Sequence, residues 1–221
     1  QHVLPDDMIL VVITHMHWDF CDTHALEDPK CEFNAQFLEW LQGWLAVSDH
    51  VGVYDYYGHN EFYVPWPLWN TTIPQHIRAY RRLGVESLIV ETQQNWWNQG
   101  MNFYLYARLC WDPSLDVDEL VREYCDLAFG PAGRTMLSYY KLLESAMAGP
   151  TPYHMGQNEC ASVFGPQVVA EAQKLMDQAV AAVTRMEAAF DVFGTQALRI
   201  SNGVTENNFP MSVRSAPLSV T

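Results

Sequence analysis

Positive charge is what this sequence has least of. Its 221 residues include 12 Lys and Arg against 26 Asp and Glu, a formal net charge of -14. So anionic a chain argues against nucleic acid and anionic membrane surfaces as partners, because both would repel it. Long apolar runs are absent as well. No stretch approaches the ~18 consecutive apolar residues of a membrane-spanning helix, so no membrane span is expected. The five cysteines are an odd number without a Cys-x-x-Cys pair. That pattern reads as reduced, buried thiols rather than a disulfide framework. Cys21 and Cys31, which bracket one loop, are the single pair placed to bridge. There is no internal repeat, and neither an initiator Met nor a signal peptide precedes Gln1-His2. The expectation is a processed, trimmed or partial chain.

What is present is apolar and aromatic. Hydrophobic residues make up 49% and charged ones 17%, enough to bury a core in one large domain or two small ones. Eight Trp are present. Trp40, Trp44 and Trp111 fall at helical positions and are expected in the core. Trp66, Trp69, Trp96 and Trp97 fall in loops after strands, and Trp96 and Trp97 adjoin Gln93, Gln94 and Asn95. Indoles stack on the C–H faces of sugars while amides bond the hydroxyls, so carbohydrate is the partner this pattern suits. The competing reading is a hydrophobic staple under a long loop.

Periodicity lays out three strand–helix units. Residues 8–14, 51–56 and 88–90 read as strands buried on both faces, as parallel strands are. Helical spacing covers 34–47, where Phe37, Leu38, Leu41, Trp44 and Leu45 share a face, and 72–83, where Pro74 suits the first turn and Gly84 the close. After Trp97 the pattern changes to helices at 101–111, 116–129, 131–147 and 167–190, the last resuming to residue 200. Asp112-Pro113-x-x-Asp116 stops one helix and caps the next. The acids Asp118, Glu119, Glu123 and Glu171 read as a solvated face. A three-stranded parallel sheet is a poor domain alone. The fold class expected is therefore α/β: the C-terminal portion of a (β/α)8 barrel in residues 1–130, a helical extension in 131–201, and a poorly ordered tail in 202–221.

In parallel α/β folds chemistry sits at the carboxyl ends of the strands. Those ends deliver His15, His17 and Asp19, then Asp55, Tyr57 and His59, then Glu91. Two carboxylates on neighbouring strands, Asp55 and Glu91, can lie at the ~5–9 Å that glycoside hydrolysis uses. Half-buried aromatic surroundings would raise one pKa and give the acid–base asymmetry. Asp55 is flanked by Tyr54 and Tyr56 and can instead be a structural acceptor for a backbone N–H. His15-x-His17 puts two imidazoles on one side of a strand, within reach of one ion, which resembles the first metal motif of amidohydrolases, and His59 and Glu91 could complete the site. That family also needs a carboxylated Lys or a Glu and further His on later strands, which have no clear match here. No metal and no cofactor are therefore expected, with His15 and His17 as weak candidates.

One run is recognisable. Leu109-Cys110-Trp111-Asp112-Pro113-Ser114-Leu115-Asp116-Val117-Asp118-Glu119-Leu120, followed by Phe129-Gly130-Pro131-Ala132, resembles the segment that closes the barrel in α-glucuronidase-like and N-acetylglucosaminidase-like enzymes. With Cys21-x-x-His24, Asp28-x-x-Cys31-x-x-Asn34, Val53-Tyr54-Asp55-Tyr56-Tyr57 and Val90-Glu91, the chain is most similar to the bacterial domain-of-unknown-function 4838 family. That family includes the glycoside hydrolase family 163 endo-β-N-acetylglucosaminidases of complex N-glycans. The resemblance covers residues 8–143. It implies a (β/α)8 barrel whose remaining strands precede Gln1, with Glu91 as a catalytic carboxylate. It further implies Tyr56, Tyr57, His59 and Trp96 shaping a sugar pocket, His24 as a further ligand, and a periplasmic or secreted parent protein.

The function expected is cleavage of a glycosidic bond in an amino-sugar-containing glycan. Glu91 and Asp55 would be catalytic; Tyr56, Tyr57, His59, Trp66, Trp69, Gln93, Asn95, Trp96, Trp97 and His24 would bind substrate. The alternatives are a partial barrel that binds carbohydrate without cleaving it and a metal-dependent hydrolase of the amidohydrolase type.

Overall fold

Among the described residues, strands and helices alternate through the first half of the chain and helices alone follow in the second. β1 (Val11–Thr14), α1 (Glu32–Leu45), β2 (Val51–Asp55), α2 (Thr72–Leu83) and β3 (Ser87–Val90) come first. They are followed by α3 (Trp96–Trp111), α4 (Val117–Phe129), a 3-10 turn at Gly130–Ala132, α5 (Gly133–Met147) and α6 (Pro166–Val204). The computed structural model describes residues 4–15, 24–57, 72–91, 96–147 and 163–204. The strands form one parallel sheet in the order β1-β2-β3, with Val11 opposite Val51 and Gly52 opposite Ser87. The architecture is mixed α/β, mostly helical. Among the described residues no helix is long and apolar enough to cross a membrane.

The element ends follow from local chemistry. α2 stops at Gly84, whose φ of 89° lies in the left-handed region that a residue without Cβ adopts cheaply. There the Val85 N–H reaches back to the Tyr80 carbonyl at 3.0 Å, closing the last turn. α3 ends at Trp111; Asp112 turns the chain by accepting from the Ser114 N–H at 2.9 Å, and Asp116 caps α4 by accepting from the Glu119 N–H at 3.0 Å. The Asp-Pro-x-x-Asp run thus performs both of its expected tasks.

Three expectations are corrected. The first strand begins at Val11, not Met8. Met8, Ile9 and Leu10 are exposed, because pairing with β2 starts only at Val11–Val51. Nor is the sheet buried on both faces. Val51, Val53 and Ile13 pack with Phe37 and Leu41 of α1 and Ala79 and Tyr80 of α2. Val12, Thr14 and Ile89, pointing the other way by the strand's two-residue period, are exposed. Finally, Trp40, Trp44 and Trp111 are exposed, Trp111 at 92%. The buried stripe of α1 runs through Asn34, Phe37 and Leu41, and the two α1 indoles sit on its outer flank.

A second core joins the helices. Ile73 and Ile77 of α2 meet Met101, Leu105 and Leu109 of α3, Leu120, Val121 and Cys125 of α4, and Met136 and Tyr140 of α5. One apolar cluster therefore runs across residue 130. Cys125 is a buried thiol whose pKa is pushed up to about 12, chiefly by burial and then by Asp126. Cys31 is buried, and Cys21 lies outside the described residues.

Candidate functional site

The register brings the three strand ends level. The His15 N–H donates to the Tyr54 carbonyl at 2.8 Å, and the Glu91 N–H to the Asp55 carbonyl at 3.1 Å. The pleat then sends neighbouring side chains apart. Asp55 lies opposite Val90 and faces the helices. Glu91, one residue further on, turns with Ile89 to the open face.

On the open face Glu91 is half-buried and accepts a hydrogen bond from the Tyr54 hydroxyl at 3.0 Å. Tyr56 stands beside Tyr54, ring centroids 5.3 Å apart. Burial first, and then the Glu91 carboxylate, raise the pKa of both phenols. Both therefore stay protonated, so Tyr54 is a steady donor to the carboxylate. A carboxylate with a phenol fixed on it and a second phenol alongside can exchange a proton with, or hydrogen-bond, a polyhydroxylated ligand.

Behind the sheet the chemistry is closed. His15, Asp55 and His76 are exposed by only 3, 2 and 1%. Asp55 Oδ1 accepts from the Tyr56 N–H at 2.9 Å and faces His15 Nδ1 at 3.3 Å. Oδ2 accepts from the Tyr80 hydroxyl at 2.8 Å and faces His76 Nδ1 at 3.6 Å. Burial alone would raise the Asp55 pKa; the two histidines outweigh it and hold the carboxyl far below its ordinary range. The far side of each ring is tied as well. The Asn34 amide donates to the His24 and Ala25 carbonyls at 3.2 and 3.0 Å. That fixes its Oδ1 toward His15 Nε2, 3.3 Å away. His76 Nε2 donates to the His24 carbonyl at 3.3 Å.

The residues singled out from sequence divide accordingly. Glu91 and Tyr56 meet on the open face. Asp55 joins His15 behind it, and its bond from the Tyr56 N–H is the structural role weighed as the alternative. Tyr57, expected to shape a sugar pocket, is instead core at 1% exposure, packed near His76 and Tyr106. His24 contributes its backbone carbonyl to the closed cluster, and its side chain is half-exposed. Trp96 and Trp97 open α3 rather than lying in a loop; their side chains are outside the described set, as are His17, His59, Trp66, Trp69, Gln93 and Asn95. His76 and Tyr80 carry no motif. Their only signal is two polar-tipped side chains four apart on the apolar face of α2.

The model of one family, described as Domain of unknown function (DUF4838), matches residues 2–141. No curated protein matches the chain. No solved structure does either.

Proposed function

This chain belongs to the DUF4838 family, and from that premise and the open-face geometry we propose that it is part of a glycoside hydrolase. The three strands would be part of a (β/α)8 barrel, with the other strands supplied by the rest of its own protein and the open sheet face lining the interior. Glu91 would be one catalytic carboxylate in cleaving an amino-sugar-containing glycan, the endo-β-N-acetylglucosaminidase-like reaction that the family resemblance implies. One observation supports this most: Glu91 is presented at a strand's carboxyl end, on the face where Val12, Thr14 and Ile89 are exposed, with the Tyr54 phenol 3.0 Å away. Such a carboxylate can stabilise an oxocarbenium-like centre or move a proton to or from the glycosidic oxygen. Asp55 is not its partner in this reading, because its side chain lies on the other side of the sheet. It acts as a positioning residue, holding the Tyr56 backbone at the strand end.

Assay of the protein on complex N-glycan glycopeptides tests this. Glu91→Gln should cost about 10²–10⁴-fold in turnover and leave the fold intact. Full turnover by that variant would overturn the assignment. A second reading, carbohydrate binding without cleavage, has an observation in its favour. Among the described residues, no other strand-end carboxylate joins Glu91 on the open face. Saturable glycan binding without any product from the unaltered protein would establish that reading instead.

A further inference from the structure

One contact in the closed cluster is not explained by hydrogen bonding. An imidazolium donating to a carboxylate sits at about 2.7–2.9 Å. Here His15 Nδ1 is 3.3 Å from Asp55 Oδ1, and His76 Nδ1 is 3.6 Å from Oδ2. The second contact is too long for a hydrogen bond, and His76 Nδ1, fully buried, has no hydrogen-bond partner. Both rings spend their other nitrogen on an oxygen acceptor: His15 on Asn34 Oδ1, His76 on the His24 carbonyl. Both Nδ1 atoms thus face the Asp55 carboxylate, and each of the three residues offers an atom within 4.8 Å of the others.

The geometry points to a buried binding site for a divalent first-row transition cation of the zinc type, held by His15, Asp55 and His76. Ligands 2.0–2.2 Å from a tetrahedral ion stand about 3.3–3.6 Å from one another; His15 Nδ1 and His76 Nδ1 stand at that distance from Oδ1 and Oδ2 of Asp55 respectively, so one carboxylate oxygen would turn to serve both. Binding would draw one ligand atom of each residue, now within 4.8 Å of the others, to that spacing. Neutral imidazole nitrogens with a carboxylate oxygen suit Zn²⁺ better than the all-oxygen cations. The outer contacts are also those of a metal site. Each ligating imidazole passes its second N–H to an oxygen acceptor, and the ligating carboxylate is itself hydrogen-bonded, here by the Tyr80 hydroxyl and the Tyr56 N–H. The three ligands come from the ends of β1 and β2 and from the middle of α2. The ion would pin that helix to the sheet directly behind the Glu91 face. It has no part in glycan cleavage and stands whether or not that reading does.

Titration of the tag-free, chelator-treated protein with Zn²⁺, and separately with Co²⁺, tests the site. One equivalent of Zn²⁺ should bind, with a melting temperature that rises with free Zn²⁺. Co²⁺ should give the intense visible absorption of a tetrahedral site without a thiolate charge-transfer band. His76→Gln should abolish binding, and Asn34→Ala, which frees the His15 ring, should weaken it about 10–100-fold. No Zn²⁺ uptake by the folded protein would overturn the proposal. So would a six-coordinate or thiolate Co²⁺ spectrum, or unchanged affinity in folded His76→Gln. If His76→Gln does not fold, the Co²⁺ spectrum of the unaltered chain and the Asn34→Ala affinity decide.

Discussion

Asp55 and Glu91 are neighbours across two strands, joined by a backbone hydrogen bond of 3.1 Å, yet they inhabit different media. Asp55 is enclosed by two imidazoles, a phenol and a backbone N–H, with almost no contact with water. Glu91 is half-buried and, among the described residues, meets the Tyr54 and Tyr56 phenols. The pleat alone makes this difference, since one residue's step along a strand exchanges the faces of the sheet. Two carboxylates at one sheet edge therefore serve unlike ends: one holds the fold, the other is presented.

The sharpest way to break this contrast is to remove each carboxylate in turn. In chelator-containing buffer, Asp55→Ala strands two histidines packed around a lost charge, and should cost about 3–5 kcal/mol in urea denaturation. Glu91→Gln, measured the same way, should stay within ~0.5 kcal/mol of the parent. Equal losses would dissolve the distinction between the faces. Next in size is Tyr80→Phe. It deletes one hydrogen bond to the buried carboxylate and should cost about 1.5–3 kcal/mol. Its open-face counterpart, Tyr54→Phe, should leave the denaturation midpoint almost unchanged and lower kcat/KM on a glycan substrate by about tenfold, the kinetic worth of one such bond.

The smallest effect belongs to the opposite end of the sheet. There His50 Nδ1 meets a Glu86 oxygen at 2.9 Å in water. The hydrogen bond and charge of Glu86 raise the His50 pKa above its ordinary value. A raised histidine pKa gives stability that is complete below the unfolded value of about 6.5 and is lost as pH rises through the folded value. The melting temperature should therefore drift down slightly between pH 6 and 8, and Glu86→Gln should flatten that drift. A drift of the same size in Glu86→Gln would show that the pair contributes nothing.

What the sequence made legible is mostly backbone punctuation. Gly84, Asp112-Pro113 and Asp116 act within a few residues of themselves, so their work can be read locally. The apolar run from Met8 to Thr14 could not be divided by eye. Only the partner strand decides that pairing begins at Val11. Trp40 and Trp44 misled because a helix face is set by what it packs on, and α1 turns Phe37 and Leu41 to the sheet. The site was half-visible for the same reason. His15, Asp55 and Glu91 were located by their place at strand ends, but the sides to which they point depend on register and pleat. His76 carries little local signal, because a single histidine among Ile73, Ile77 and Tyr80 looks like ordinary core. Its meaning arises only when α2 folds back over two strand ends distant in sequence.

Among the described residues the sheet has two bare rims: β1 and β3 each pair on one side only, leaving a row of amides and carbonyls along each outer edge, next to the exposed Ile9, Leu10 and Val12. Such rims are templates for another copy of the same strand. What opposes that encounter is the net charge of -14, felt across roughly 10 Å at 0.1 M salt and roughly 3 Å at 1 M. The colloidal behaviour of the isolated chain should thus be governed by ionic strength: dispersed in dilute buffer, and clustering edge to edge as salt is added.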